Sequence, residues 1–230
     1  MISLKAEKIF EVLDFPITNT LLMSWLTVIF LFGLFFYLRR QLREKPGKFQ
    51  SLLEIFLEGI NKFFQGIFQT QNHKLFAFAL TFFIFILVSN WLGLLPGVGS
   101  IFVLEGHQRV PLFRSAYSDV NMTLTLALIS VVGANILGLY YLGGQFLKRY
   151  KGFVGLLELF AEFAKIISFS FRLFGNIFAG EVLLTVMALL FAYIVPLPFL
   201  GLELFVGFIQ AVIFFVLTTI FLKVELTSEH

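Results

Sequence analysis

Cysteine is missing from all 230 residues, which removes disulfides, thiolate chemistry and Cys-ligated metals. Histidine is scarce. His73, His107 and His230 lie far apart and never fall at i, i+4, so a local His metal motif is absent. There is no glycine-rich phosphate loop and no nucleophile elbow, and nothing calls for a cofactor. Charge is scarce as well: 13% of residues are charged, against about 25% in a soluble domain. The net charge of +3 is modest and its basic residues sit in loops, a pattern of membrane orientation rather than of nucleic-acid binding. What is abundant is hydrocarbon, with 59% hydrophobic residues and 33 phenylalanines. Too little polar surface exists to dissolve such a chain in water, so the bilayer is its solvent. A cleaved signal peptide is not expected. Met1 to Thr20 mixes Lys5, Glu7, Lys8, Glu11 and Asp14, and the apolar run behind it is too long for a signal core.

An uncharged run of about 20 residues crosses the hydrocarbon. Leu21 to Leu38 is the first; Leu75 to Leu104, ending near Pro96, is the second; Val120 to Leu147 is the third. Val182 to Leu202 and Leu204 to Leu222 follow, separated only by Glu203, while the apolar stretch Phe153 to Phe171 carries Glu158, Glu162 and Lys165. Phe49 to Phe68 differs. At 100° per residue, Gln50, Ser51, Glu54, Glu58, Asn61, Lys62 and Gln65 fall within an arc of about 120°, opposite Leu, Ile and Phe. This predicts an amphipathic helix on the membrane surface; the alternative is a spanning helix whose polar face meets a neighbour. The basic residues Arg39, Arg40, Arg43, Lys45 and Lys48 follow the first span, and Lys148, Arg149 and Lys151 follow the third. Both loops are therefore expected in the cytoplasm. The N-terminus and the loop from Gly97 to Asp119 then lie outside, and the C-terminal VELTSEH inside. The expected fold is an all-α membrane protein with one domain over residues 1–230. It has five crossings plus one interfacial helix, the last two crossings long and tilted. Trp25 and Trp91 read as interface anchors, and Asp119 with Asn121 as the cap of the third span.

Ionisable groups at membrane depth are costly, by about 2.5–3.5 kcal/mol on insertion scales. Glu158 to Glu181 reads ELFAEFAKIISFSFRLFGNIFAGE. Measured from Arg172 on a helix, Ser168 lies at about −40°, Asn176 and Glu158 at about +40°, and Lys165 at about +20°. These groups form one stripe roughly 27 Å long, with Glu162 at its edge. Glu181 falls at about 180° and faces away from Arg172. Glu203 and Gln210 are seven residues apart and share a face. Glu181 and Glu203 meet if their helices pair. Plainer roles stand beside these. Arg172 could be a buried ion-pair partner of Glu181 or Glu158, and Glu158 and Glu162 could sit among headgroups. Lys165 could snorkel, Gln210 could be interhelical glue, and Asn90 reads as structural.

FRLFGNIFAGE (Phe171 to Glu181) closely resembles the signature of subunit a of F-type ATP synthases. SNWLGLLPG (Ser89 to Gly97), SAYSDVN (Ser115 to Asn121), IQAVIFFVLT (Ile209 to Thr218) and the closing LTSEH are similar to that family in the same order, from about Pro46 onward. The first 45 residues carry little of the resemblance, and the FAGE wording looks bacterial. The resemblance implies a stationary, non-catalytic ion-channel subunit in the cell membrane. Its implied partners are a rotating ring of c subunits, b-type peripheral-stalk subunits and lipid. Two offset half-channels would serve the ring carboxyls, with protons the default ion. Arg172 would face the ring as the partner of its carboxylates and as a barrier to leak. Glu181, Glu203, Asn176 and Gln210 would lie along the proton path. On the physical argument, protons are expected to enter from outside through Glu181 and Glu203 and to leave toward the cytoplasm past Ser168, Lys165 and Glu158. Where the family usually has an acidic or His pair, both positions here are Glu, which leaves open which of Glu181 and Glu203 handles the proton. Competing readings are a transporter working alone, which should show repeats and paired broken helices, and a structural scaffold. A membrane hydrolase ranks last, because no nucleophile has a nearby base.

Overall fold

The computed structural model describes residues 7–12, 15–42, 46–68, 72–95, 98, 101–105, 108–148, 150, 152–190 and 195–226. Outside them lie several residues used above: Lys5, Arg43, Lys45, Pro96, Gly97, His107, Arg149, Lys151 and the tail residues Thr227 to His230.

Helix dominates the described chain. In order come α1 (Asn19–Gln41), α2 (Lys48–Phe68), α3 (His73–Gly93), α4 (Val120–Leu142), the short α5 (Gly144–Lys148), α6 (Gly152–Leu190) and α7 (Pro196–Leu226). Five of these, α1, α3, α4, α6 and α7, are long and apolar enough to cross a membrane. Each of the first, second and third crossings starts at a polar cap. Thr18 accepts from the Leu21 amide, Asn72 from those of Lys74 and Leu75, and Asp119 from that of Asn121. These caps satisfy amides that have no partner inside the helix. Gly143 ends α4 with φ of 58°, a left-handed conformation that glycine adopts without strain.

The last third corrects one expectation. The run Val182 to Leu202 is not a unit, and Glu203 does not separate two spans. α6 is described to Leu190 and α7 from Pro196, and Glu203 lies within α7. Pro196 explains the restart: at the first helical position its missing N–H costs nothing, and its fixed φ already suits a helix. Apolarity alone carried no mark of this boundary. At 39 and 31 residues, α6 and α7 are roughly 58 and 46 Å long. Both exceed a hydrocarbon core of about 30 Å and must tilt or run into the interface.

Two small hairpins were not foreseen. β1 (Lys8–Val12) pairs antiparallel with β2 (Phe15–Thr18), and β3 (Phe102–Glu105) with β4 (Gln108–Pro111). They sit at the same end of the bundle. Asn19 Nδ2 donates to the Pro111 carbonyl at 3.4 Å, and Thr20 Oγ1 to Asp119 at 3.4 Å.

The apolar core lies between α3, α4, α6 and α7, around Phe82, Phe83, Ile86, Val131, Leu173, Phe214 and Leu222. Inside lipid, helices gain little from burying apolar surface against one another, so packing and interhelical hydrogen bonds hold them. Thr123 and Ser170 join α4 to α6 at 3.0 Å, and Ser130 and Thr218 join α4 to α7 at 2.9 Å. Asn90 Nδ2 donates to the Gly207 carbonyl at 3.2 Å, joining α3 to α7. A Cβ built at Gly207 would lie 3.2 Å from the Asn90 Cβ, so glycine is what admits this approach. Asn90 thus ties α3 to α7 through its amide nitrogen. α2 is amphipathic and is not among the five spanning helices. It touches the core through Phe64, whose ring meets Phe68, Phe76 and Phe215, while Leu52, Ile55 and Phe63 stay exposed.

Candidate functional site: an exposed intramembrane arginine between two polar clusters

Arg172 lies near the middle of α6, on its exposed side. Among the described residues it has no hydrogen-bond or ion-pair partner. The ion pair with Glu181 or Glu158 considered above is therefore not formed. The neighbouring exposed positions Ala164, Ser168, Gly175, Asn176 and Ala179 are small or polar, and a Cβ added at Gly175 would meet nothing within 4 Å. The opposite side of α6, at Phe169, Ser170, Leu173 and Ile177, is buried in the bundle. The result is a cation on a low outer surface of the bundle, rather than one sealed inside it.

Toward one end of the bundle, α6 and α7 pair closely. Asn176 Nδ2 donates to Gln210 Oε1 at 2.7 Å. One further turn along, a Cβ at Gly180 would collide with the Glu203 carboxylate. Gly180 is therefore the gap that seats Glu203. Glu203 is 6% exposed, and its Oε2 has no hydrogen-bond partner among the described residues. Glu181, next to Gly180, faces elsewhere. Its carboxylate is gripped by Arg114, from Nε to Oε1 at 2.9 Å and from Nη2 to Oε2 at 3.3 Å. The 3-10 turn Ala116–Ser118, just after Arg114, is buried with Tyr117 at its centre, which fixes the loop against the bundle.

Toward the other end the stripe turns inward. Lys165 donates to Glu162 Oε1 at 2.5 Å and approaches Glu225 of α7 at 3.6 Å, with its ammonium 4.9 Å from the Phe221 ring centre. Glu162 is buried within the bundle, and its Oε2 accepts from Asn135 of α4 at 3.0 Å. Glu158 joins Glu162 and Glu225, with one carboxylate oxygen from each lying within 4.8 Å of the others. Lys165 already supplies a cation to this acidic group, so it reads as an ionic network rather than a metal centre. Ser168 stays exposed, between this network and Arg172.

So the fold brings Asn176 to Gln210, Glu181 near Glu203, and Lys165 to the carboxylate group. It leaves Arg172 apart from all of them. Helical angles alone missed Arg114, Asn135 and Glu225. Arg114 was legible only as a cation in an otherwise apolar loop, VPLFRSAY. Glu225 looked like part of a polar tail, and Asn135 like one more small residue of a span.

Five helices long and apolar enough to cross a bilayer define a polytopic membrane protein, with an arginine on the surface of its longest helix that has no partner among the described residues. A family model described as ATP synthase A chain matches residues 21–223. The chain is 37% identical over 227 residues to ATP synthase subunit a of Mycobacterium tuberculosis, covering 93% of this chain and 89% of that protein. It is 31% identical over 225 residues to ATP synthase subunit a of Syntrophobacter fumaroxidans, covering 94% and 88%. Against ATP synthase subunit a of Desulfosudis oleivorans it is 29% identical over 235 residues, covering 97% and 96%. The chain belongs to the ATP synthase A chain family. It is a multi-pass, ion-translocating membrane subunit of a multi-subunit synthase, and is not catalytic on its own.

Proposed function

We propose that this chain is the stationary half of a rotary proton motor, passing protons through two offset half-channels to and from the carboxyls of a rotating c-ring. The observation that carries this is the exposed guanidinium of Arg172, midway along α6 and without a partner among the described residues. An arginine cannot give up its proton in a protein, so it cannot relay one. It can draw a carboxylate toward it. At about 4 Å and an effective dielectric of about 20 the attraction is about 4 kcal/mol before desolvation is subtracted. A net bias of one or two kcal/mol releases a proton from the ring carboxyl without trapping the rotor. The same charge repels a proton running directly between the two half-channels.

The outer path enters beside the Glu181 and Glu203 carboxylates and continues past Gln210 and Asn176. The cytoplasmic path leaves by way of Ser168, Lys165 and Glu158. Between them the ring carboxyl travels protonated through lipid, where a charge would be expensive. The membrane potential supplies about 2.3 kcal/mol per charge per 100 mV. The small exposed residues beside Arg172 let a neighbouring helix come close, which suits a c-ring. The exposed apolar flanks of α1 and α2 suit lipid and b-type peripheral-stalk subunits. The N-terminus lies outside and the C-terminus in the cytoplasm, within a single domain.

The deciding experiment places the whole synthase in proteoliposomes with Arg172→Ala in this chain. Proton-driven ATP synthesis should disappear, with a rise in passive proton leak. Full coupled synthesis by that variant refutes the reading.

A further inference from the structure

Two carboxylates, Glu181 and Glu203, occupy neighbouring positions at the outer end of the α6–α7 pair, and the fold treats them in opposite ways. Both oxygens of Glu181 accept from the planar fork of Arg114, at 2.9 and 3.3 Å. Arg114 itself is 7% exposed, delivered by a loop whose following turn is buried. A bidentate guanidinium–carboxylate pair is among the stronger and more geometrically fixed polar contacts. A proton on Glu181 would remove the negative charge that strengthens both of these bonds. Glu203 has no such fork. It is buried on Gly180, and its Oε2 is free of hydrogen bonds among the described residues, which leaves a buried oxygen with lone pairs available to a proton.

We propose that Arg114 is a positioning residue that pins Glu181 as the fixed anion of an ion pair, and so leaves Glu203 as the carboxyl that gains and loses the transported proton at this end. This deepens the ion-conducting reading above and rests on it. In the step, a proton from outer water forms an O–H bond at the Glu203 carboxylate. That bond then breaks as the proton passes to the ring carboxylate, and Glu203 is an anion again. Throughout, the Arg114 guanidinium compensates the Glu181 charge beside Glu203.

The test uses the whole synthase in proteoliposomes and reads the initial rate of ATP-driven proton uptake. Arg114→Gln, which leaves the Glu181 carboxylate unclamped, should lower the rate at least tenfold. Arg114→Gln combined with Glu181→Gln replaces the pair by two neutral groups of similar size, and should recover at least a third of the parent rate. Glu203→Gln should stay below a tenth of it, and Arg114→Lys should fall between. If Arg114→Gln fails to assemble, the comparison of the double variant with Glu203→Gln still decides. A double variant as inactive as Glu203→Gln, or a Glu203→Gln complex that pumps normally, overturns the assignment. Arg172→Ala run in parallel separates the two levels. Normal pumping by that variant sinks the motor reading itself, whereas its loss beside an inactive double variant sinks only the role given to Arg114.

Discussion

Gly180 and Gly175 sit five residues apart on the same helix and carry opposite constraints. At Gly180 any side chain collides with the Glu203 carboxylate, while at Gly175 a Cβ meets nothing within 4 Å. Gly180→Ala should therefore displace Glu203 and cut proton uptake severalfold in the reconstituted synthase. Gly175→Ala should leave the thermal stability of the isolated, detergent-solubilised chain unchanged or slightly raised, since Ala is the better helix former. The same Gly175 substitution should slow the assembled synthase if a partner helix packs against that surface. An equal rate in the two assembled enzymes would show the surface uncovered. At this scale the sequence was partly legible. The stripe through Arg172, Ser168 and Asn176 followed from helical angles, because those angles are set by the backbone. The partners of Glu181 and Lys165 did not follow. Arg114 is 67 residues from Glu181 in the chain, and Glu225 is on a different helix from Lys165, so no local periodicity relates them.

The elements themselves were easier to foresee. Lipid forces every backbone polar group of a span to bond within its own helix, so hydropathy reports spans directly. Breaks between apolar segments are less visible. Leu190 and Pro196 flank a boundary with no charge in it, and only the proline marks it. The hairpins were missed for a related reason, being short and lacking a strong turn signal. α2 allows a sharp test. Phe64 is buried against Phe76 and Phe215, whereas its neighbour Phe63 is 51% exposed. Phe64→Ala should lower the stability of the solubilised chain by about 3 kcal/mol, the low end for truncating a buried phenylalanine. Phe63→Ala should change it little, and equal losses would mean that α2 packs differently. The interhelical hydrogen bonds are weaker ties. Ser130→Ala, which removes the link to Thr218, should cost about 0.6 kcal/mol and not more than about 2 kcal/mol.

For the whole molecule, the lack of native cysteine makes orientation directly measurable. A single cysteine at the exposed Gly47 should react with a membrane-impermeant maleimide only from the cytoplasmic face. One at the exposed Ile101 should react only from outside. The reverse pattern would invert the proposed topology and exchange the two half-channels. The contacts around the start of α1 also bear on how the chain is made. Asn19 and Thr20, where α1 begins, are bonded to Pro111 and Asp119, which follow 92 and 99 positions later. At roughly 5–20 residues per second of synthesis, the first helix leaves the ribosome about 5–20 s before the groups that dock it exist. During that interval a newly inserted α1 is an untethered guest in the bilayer, open to capture by insertion factors or by quality-control proteases.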